Sequence, residues 1–438
     1  MTPNDKIRAY LGKVCSQIRC KDVHADVKLE LEGHIADKVE EMIKSGYSET
    51  EAVDQVLHEM GDPITVGKQL HQAHKPRIEW SVLGLVGILI GVGILVLFSL
   101  LESRAQELTQ SPMGRHLPVA GLGVIVLIAL LFANYNKIKP YSLFLYIGTI
   151  LTMMYVFQAG TAVNGLPMLE LPFTSLRLNF IRLSPIFLII SLAGIFTDWN
   201  WHKKKTPLVV LGLYIVPIFL FASAPDSFAA LLYSVGFFVL LFYSPIGKKR
   251  AMMTISSLFG AAILAIALII KRSELDRLLI FLHPDADPKG YGYALLQSIE
   301  ALRSAGWWGN GFGASLDSLP ALESDFAFVY LVHCFGLATG IGVLMIGIVL
   351  LVRLFRAANQ TRDSYGALLI RGSIVLFFTP YFYAILMTMG WIPMFDASVP
   401  LISYGGANFL CNMALLGLVL GIYRRINLQS SVSHQTHS

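Results

Sequence analysis

Charged residues are scarce in this chain. They make up 14% of the 438 residues, whereas hydrophobic residues make up 55%. A soluble domain typically carries about 25% charged residues. The apolar residues also fall in runs of roughly twenty, which is the length that spans a bilayer core. The composition therefore excludes an ordinary soluble enzyme, a disordered chain and a collagen-like chain, and it indicates a membrane protein.

The sequence also contains few cysteines and no long basic segment. The four cysteines are too few for a disulfide framework, so we expect buried or free thiols. The net charge of +5 does not indicate a nucleic-acid partner, because the Lys and Arg residues lie in short loops between apolar runs. The first apolar run begins at Ser81, which is too late for a signal peptide.

Residues 1–78 differ from the rest of the chain, because they are polar and contain no long apolar run. Helical periodicity over 26–44 predicts a helix that ends at Gly46, and Ser48 with Glu51 forms a capping box for a second helix. Gly61 ends that helix, and Asp62-Pro63 begins a third. The segment resembles the short helical domain that precedes some bacterial permease-like proteins. We expect a small cytoplasmic helical domain, separable from the membrane body.

The apolar runs predict ten transmembrane helices, near 81–101, 117–134, 141–161, 183–197, 206–222, 226–244, 251–270, 326–352, 369–390 and 401–422. An even number of spans places both termini on one side. The loops on that side hold most of the loop Lys and Arg residues, so the positive-inside rule places the termini, including the tail 426–438, in the cytoplasm. The long loop 271–322 then faces outward, and its length favours a functional role.

Asp325 is the most informative ionisable residue, since it lies where a Gly-rich segment meets the apolar run that begins at Phe326. A carboxylate at a membrane boundary is costly unless it is hydrated, paired or used. The alternative is a helix N-terminal Asp stabilised by the helix dipole. The nearby Lys271 and Arg277 could hold an anionic head group, or they could form a solvated outer surface.

Several motifs, in order along residues 80–425, resemble the SEDS family, which includes FtsW, RodA and SpoVE. They are Ala-Pro-Asp at 224–226, the outer-loop pattern with Arg277, Asp287-Pro288, Gly290, Gly292, Gln297 and Ser298, Trp-Gly-x-Gly-x-Gly at 308–313, Glu-Ser-Asp-Phe at 323–326 and Pro-Leu-Ile-Ser-Tyr-Gly-Gly-Ala-Asn at 400–408. Glu-Ser-Asp-Phe is similar to the family's His-Thr-Asp-Phe, whose Asp is essential.

The resemblance implies an all-α polytopic membrane protein that polymerises lipid II on the outer face of the bacterial cytoplasmic membrane. It implies Asp325 as the general base, Lys271 and Arg277 at the pyrophosphate, and further substrate contacts from Gln297, Ser298, Glu323 and Ser403. It also implies a class B penicillin-binding protein as the transpeptidase partner, a surrounding of membrane lipids, and a divalent cation, Mg²⁺ or Mn²⁺, that could offset charge on the leaving group.

Some family positions are changed in this sequence. Glu323 replaces a His, His333-Cys334 replaces a paired Glu, the stretch from Arg182 to Ile190 lacks the usual Glu and Lys, and Asp396 replaces a Gly. These changes leave two alternatives to a polymerase. One is a non-catalytic scaffold or regulator of wall synthesis. The other is a transporter of a lipid-linked precursor, for which we would expect internal repeats or broken helices with charges at the membrane midplane.

Overall fold

The structure is a computed structural model, and it is almost entirely helical. It describes residues 2–18, 24–73, 79–103, 112–163, 166–170, 177–201, 203, 206–224, 226–269, 279–403 and 405–425. The described residues form two compact units, one drawn from residues 1–78 and 423–438 and the other from residues 79–422.

The first unit contains four helices: α1 (Pro3–Gln17), α2 (His24–Lys44), α3 (Glu49–Glu59) and α4 (Pro63–Ala73). The predicted signals are confirmed, since Ser48 and Glu51 form a capping box and Gly46 and Gly61 take positive φ. Helix α1 was not predicted from the sequence. It supplies much of this unit's core through Tyr10, Leu11 and Val14.

The second unit is a bundle of long apolar helices. They are α5 (Trp80–Ser103), α6 (Pro112–Phe132), α7 (Ser142–Ala159), α8 (Phe180–Asp198), α9 (Thr206–Ser223), α10 (Ser227–Tyr243), α11 (Lys248–Ile269), α13 (Ala327–Gln360), α14 (Ser364–Thr388) and α15 (Gly406–Arg424), with the shorter α12 (Tyr293–Ser304) before α13. Within the described residues, seven helical segments are long and apolar enough to cross a membrane, and two shorter apolar helices accompany them. The prediction of an all-α polytopic membrane protein is confirmed, and each predicted span falls on one of these ten apolar helices.

Helix α8 lies at the centre of the bundle, where it packs against α7, α10 and α14. Its side chains Leu188, Leu192 and Phe196 are buried. Close packing follows from small residues: a Cβ at Gly194 would overlap the Ser142 hydroxyl of α7. Helix α8 is thereby packed closely against α7 at this position.

Prolines within the helices leave carbonyl groups that need other donors. Pro217 has no N–H, so the Leu213 carbonyl lacks its usual partner in α9. The hydroxyls of Tyr146 and Tyr233 both donate to that carbonyl oxygen, at 2.8 and 2.6 Å. A membrane interior offers no water to do this, so the two tyrosines keep the backbone satisfied at the proline.

A small antiparallel sheet between α7 and α8 was not predicted from the sequence. Strand β1 (Thr161–Val163) pairs with β2 (Leu166–Glu170), which pairs with β3 (Arg177–Leu178). The sequence did carry a signal for it, because Asn-Gly at 164–165 separates two runs that favour strands. The sheet lies directly before the first turn of α8.

Helix α13 is broken at Gly336, which has φ 86° and ψ 169°. The Gly-rich loop fills the break with its own backbone. The amides of Asn310 and Gly311 donate to the carbonyls of His333 and Cys334 at 2.9 and 3.0 Å, and the amide of Leu337 donates to the Gly306 carbonyl at 2.9 Å.

These contacts change the interpretation of the Gly-rich loop at 306–313. Glycine permits positive φ and a close approach of the backbone, either within a structural loop, which composition alone favours, or to a ligand. Gly306, Gly309, Gly311 and Gly313 take positive φ, and the backbone that Gly309 approaches is that of α13. The loop therefore has a structural role at the break in α13, and a contact with a ligand stays a prediction.

Candidate active site

Three charged side chains from different parts of the bundle meet at one end of it. Arg182, in the first turn of α8, places its Nε 3.3 Å from a carboxylate oxygen of Asp226 and its Nη2 2.9 Å from a carboxylate oxygen of Asp396. Asp226 precedes α10, and Asp396 lies in the loop between α14 and α15. We call these three residues the charge cluster.

The local sequence explains why each member is held there. Asn179 caps α8 by accepting a hydrogen bond from the Arg182 amide, and Asp226 caps α10 by accepting one from the Ala229 amide at 3.1 Å. Asp226 therefore marks the start of α10. Its side chain is 2% exposed, so its second function is to neutralise Arg182 inside the protein.

Asp325 is a half-buried residue two positions before the start of α13, and the charge cluster acts on it electrostatically. It does not cap that helix, because the cap position is Phe326 and no side chain bonds there. Burial raises the pKa of Asp325 to about 6, and the negative charges of Asp396 and Glu323 add to this, while Arg182 opposes it. Asp325 thus makes no capping hydrogen bond to α13, and its stabilisation by the helix dipole stays a prediction.

A carboxylate with this pKa is suited to general-base chemistry. It is mostly ionised at neutral pH, yet it holds a proton more tightly than an ordinary Asp, whose pKa is about 3.9. A base is most effective when its pKa lies close to the working pH. The arrangement can therefore accept a proton at Asp325 beside a fixed guanidinium group.

The other residues that the sequence singled out lie in different environments. Glu323 is half-buried beside Asp325, and Gln297 is half-buried on α12. Ser298 is fully buried, and its hydroxyl donates to the Ala294 carbonyl at 2.8 Å. Ser403 is also buried, and its hydroxyl oxygen accepts a hydrogen bond from the Val399 amide at 3.1 Å.

These contacts give Ser298 and Ser403 a structural role, and their contacts with substrate stay predictions. Lys271 and Arg277 lie outside the described residues. Asp287 shapes the loop before α12, since its carboxylate accepts hydrogen bonds from the amides of Gly290 and Tyr291 at 3.0 and 2.9 Å. Much of the outer-loop motif therefore serves to fold the loop.

Arg182 is the member of the charge cluster that joins the other two, and sequence reasoning did not single it out. The stretch that it begins was noted only for its missing Glu and Lys. A cation directly before a predicted span was nevertheless a usable signal, because ionisable groups at a membrane boundary are commonly paired or functional. Asp396 was noted only as an exception to a family Gly, and the structure shows that this exception pairs with Arg182.

A metal site is not apparent in the part of the chain that the structure describes. No group of three or more His, Cys, Asp and Glu side chains in it is arranged to hold a metal ion. Asp226 and Asp396 both contact Arg182, whose positive charge opposes a cation. The charge cluster thus does not fit a divalent metal.

Comparisons with known proteins agree with this architecture. A family model described as cell cycle protein, FtsW/RodA/SpoVE, matches residues 79–427. The chain is similar to the peptidoglycan glycosyltransferase MrdB of Escherichia coli, with 25% identity over 343 residues that cover 77% of this chain and 92% of MrdB. It is also similar to the probable peptidoglycan glycosyltransferase FtsW of Saccharophagus degradans, with 26% identity over 381 residues that cover 82% of this chain and 95% of that protein.

Solved structures share the fold. A chain from a peptidoglycan synthase complex, described in terms of coordinated polymerization and crosslinking, matches with a TM-score of 0.67 and 21% identity over 80% of this chain and 98% of that one. The rod shape determining protein RodA of Thermus thermophilus matches with a TM-score of 0.58 and 20% identity over 79% of this chain and 97% of that one.

Proposed function

The chain belongs to the FtsW/RodA/SpoVE family of cell cycle proteins, and we propose that it is a peptidoglycan glycosyltransferase that polymerises lipid II. The observation that carries the proposal is Asp325, a half-buried carboxylate with a raised pKa of about 6 beside Arg182. The names of two relatives support it, since MrdB is named a peptidoglycan glycosyltransferase and FtsW a probable peptidoglycan glycosyltransferase.

The proposed reaction joins two sugars at the outer membrane face. A hydroxyl of the acceptor sugar attacks the anomeric carbon of the donor, the new C–O bond forms, and the bond to the lipid-linked pyrophosphate breaks. Asp325 accepts the hydroxyl proton, and the pyrophosphate leaves with the bonding electron pair. Glu323 and Gln297, which are half-buried, and the buried Ser298 and Ser403 are proposed substrate contacts, with Lys271 and Arg277 at the pyrophosphate.

The test is a polymerisation assay with purified protein and lipid II, in which glycan strands longer than the disaccharide unit are the expected product. Parallel reactions with Mg²⁺, with Mn²⁺ and with a chelator test the cation that the family resemblance implies. Folded protein that makes no glycan under any of these conditions, alone or with its partner, would favour the scaffold. The changed family positions Glu323 and Asp396 are the specific observation behind that alternative.

The transporter alternative receives little support. One helix is broken, as that alternative requires, but the break at Gly336 is filled by the backbone of residues 306–311. The charge cluster lies at helix starts, away from the centre of any span. A transport site would instead place charges at the membrane midplane.

We also propose a class B penicillin-binding protein as partner. The support is the similarity in fold to a chain of a peptidoglycan synthase complex whose description joins polymerization with crosslinking. A crosslinking enzyme beside a polymerase would receive the new strand as it forms. Membrane lipids surround the bundle, which is consistent with the many exposed apolar side chains on α6, α7 and α9.

We propose that the termini and the segment 1–78 are cytoplasmic and that the loop 271–322 is external. The cytoplasmic loops would then hold Lys137, Lys139 and the basic residues at 203–205 and 248–250. In a background without the four native cysteines, Ser315→Cys is expected to react with a membrane-impermeant maleimide on intact cells, and Asn136→Cys only after lysis. Both positions are exposed, so the difference reports sidedness. The reverse pattern would contradict the topology.

The pH dependence of the reaction follows from Asp325. Because the base must be ionised and its pKa is about 6, we expect the rate to be half-maximal near that pH and to fall as the pH decreases. Replacing Glu323 by Gln removes one of the negative charges that raise this pKa, so the acidic limb should move to lower pH. The measurement is the initial rate of polymerisation against pH for both proteins. An acidic limb near the ordinary Asp value of about 4 in the wild type would contradict the assignment.

A further inference from the structure

We propose that Arg182 binds the diphosphate of the lipid-linked substrate and that Asp396 is an internal anion that occupies this guanidinium until the diphosphate displaces it. The inference rests on the proposed function and goes beyond it, because it assigns a second binding residue and an inhibitory contact built into the chain. Its basis is the unequal way in which the two carboxylates hold Arg182.

Asp226 is the permanent partner. Its side chain is 2% exposed, it is fixed by the Ala229 amide, and it contacts the guanidinium through Nε. If Asp226 moved away from Arg182, its own buried carboxylate would lose its partner and the Nε of Arg182 would lose its contact, and both losses are costly. The Nε edge of Arg182 is therefore closed to a ligand.

Asp396 is the replaceable partner. Its side chain is 64% exposed, and it contacts only Nη2, at 2.9 Å. An ion pair that is open to solvent contributes little to stability, because water screens it and competes for both groups. The Nη2 edge is therefore available to an anion that can offer a stronger contact.

A diphosphate is such an anion. It carries more charge than a carboxylate, and its oxygens match the planar fork of a guanidinium in paired hydrogen bonds. Arg182 also acts electrostatically on Asp325, so one guanidinium would act on both the diphosphate and the proposed base.

The loop that carries Asp396 does not need to unfold for this exchange. The Val399 amide is held by the Ser403 hydroxyl, and the Ser403 amide donates to the Val399 carbonyl at 3.0 Å. The backbone at Leu401 packs closely against Gly93 of α5. Because the backbone after Asp396 is anchored, displacement requires only a rotation of the Asp396 side chain.

The experiment measures binding of inorganic pyrophosphate and of farnesyl pyrophosphate to the purified full-length protein by calorimetry, without turnover. Asp396→Asn is expected to tighten binding of both probes by about threefold or more, since it removes the competing charge. Arg182→Gln is expected to weaken binding by about tenfold or more, since it removes a charge-assisted contact. The matched control is Glu170→Gln, which removes another exposed carboxylate that pairs with an arginine, Arg177, at 3.1 Å, and no change is expected.

Arg182→Gln leaves Asp226 without its partner and could unfold the protein. The double variant Arg182→Gln with Asp226→Asn avoids this, because Asn is also a good helix cap. If Asp396→Asn binds the two probes with the wild-type affinity, the proposal that the diphosphate displaces Asp396 is wrong. If the Arg182 variants bind them with the wild-type affinity, the proposal that Arg182 binds the diphosphate is wrong. If the substitutions change the affinity for inorganic pyrophosphate and not that for farnesyl pyrophosphate, the proposal that the site binds a lipid-linked diphosphate is wrong.

The outcome is separable from that of the proposed function. If the predicted order of affinities is found but lipid II is not polymerised, the diphosphate site stands and the enzymatic proposal fails. If polymerisation occurs and the affinities do not follow the order, the enzyme stands and the role of Asp396 fails.

Discussion

Replacing Asp325 by Asn is expected to lower the rate of lipid II polymerisation by about 10²–10⁴-fold, which is the usual contribution of a positioned general base. The substitution keeps the size of the side chain and removes its ability to accept a proton. Folding should be preserved, because Asp325 does not cap α13 and a neutral amide is easier to bury than a carboxylate. The measurement is the initial rate at equal amounts of folded protein.

Two matched variants show whether the loss is specific. Asp317→Asn makes the same chemical change at an exposed position of the same loop and should leave the rate unchanged. Glu323→Gln removes a carboxylate close to Asp325 in the chain and should shift the pH profile with a much smaller loss. If Asp325→Asn keeps most of the wild-type rate, Asp325 is not the base. A large loss in Glu323→Gln would then identify Glu323 in its place.

The transmembrane helices could be predicted because hydropathy is a property of consecutive residues. Even so, their ends depend on capping groups: α14 begins at Ser364, earlier than the predicted 369, because Asp363 accepts hydrogen bonds from the amides of Tyr365 and Gly366. Asp325 could also be singled out from the sequence. A carboxylate at the edge of an apolar run is unusual, and this can be recognised without knowing which residues surround it in the fold.

The charge cluster could not be predicted in the same way. Its contacts join residues 44 and 214 positions apart in the sequence, and only the packing of α8 against α10 and α14 brings them together. No local pattern distinguishes an Arg that pairs with two carboxylates from one that faces lipid head groups. The raised pKa of Asp325 depends on the same packing, so it too became accessible only from the fold.

The break in α13 is a feature that the hydropathy pattern hides. The run that begins at Phe326 is uniformly apolar, so hydropathy predicts one continuous helix. Glycine is common within transmembrane helices, and Gly336 is one of several in this run. What breaks the helix is the loop that supplies hydrogen bonds to the freed backbone groups, and that loop lies before the helix in the chain.

Replacing Gly336 by Ala is expected to destabilise the protein strongly. The residue has φ 86° and ψ 169°, a region that is essentially restricted to glycine, and a Cβ there would overlap the Trp307 carbonyl oxygen. Backbone strain and overpacking each cost about 1–3 kcal/mol, so the free energy of unfolding should fall by about 2–6 kcal/mol. The measurement is the midpoint of thermal unfolding of the purified protein in detergent.

Gly342→Ala is the matched control, because Gly342 lies in the same helix in open space, where alanine is a better helix former. The midpoint of that variant should stay unchanged or rise slightly. Gly309→Ala should resemble Gly336→Ala, since its Cβ would overlap the Cys334 carbonyl from the other side of the same contact. If alanine is tolerated at both Gly309 and Gly336, the loop does not hold the break in solution. If it is tolerated at neither, the backbone contact between the Gly-rich loop and α13 holds in solution and fixes the part of α13 that follows Asp325.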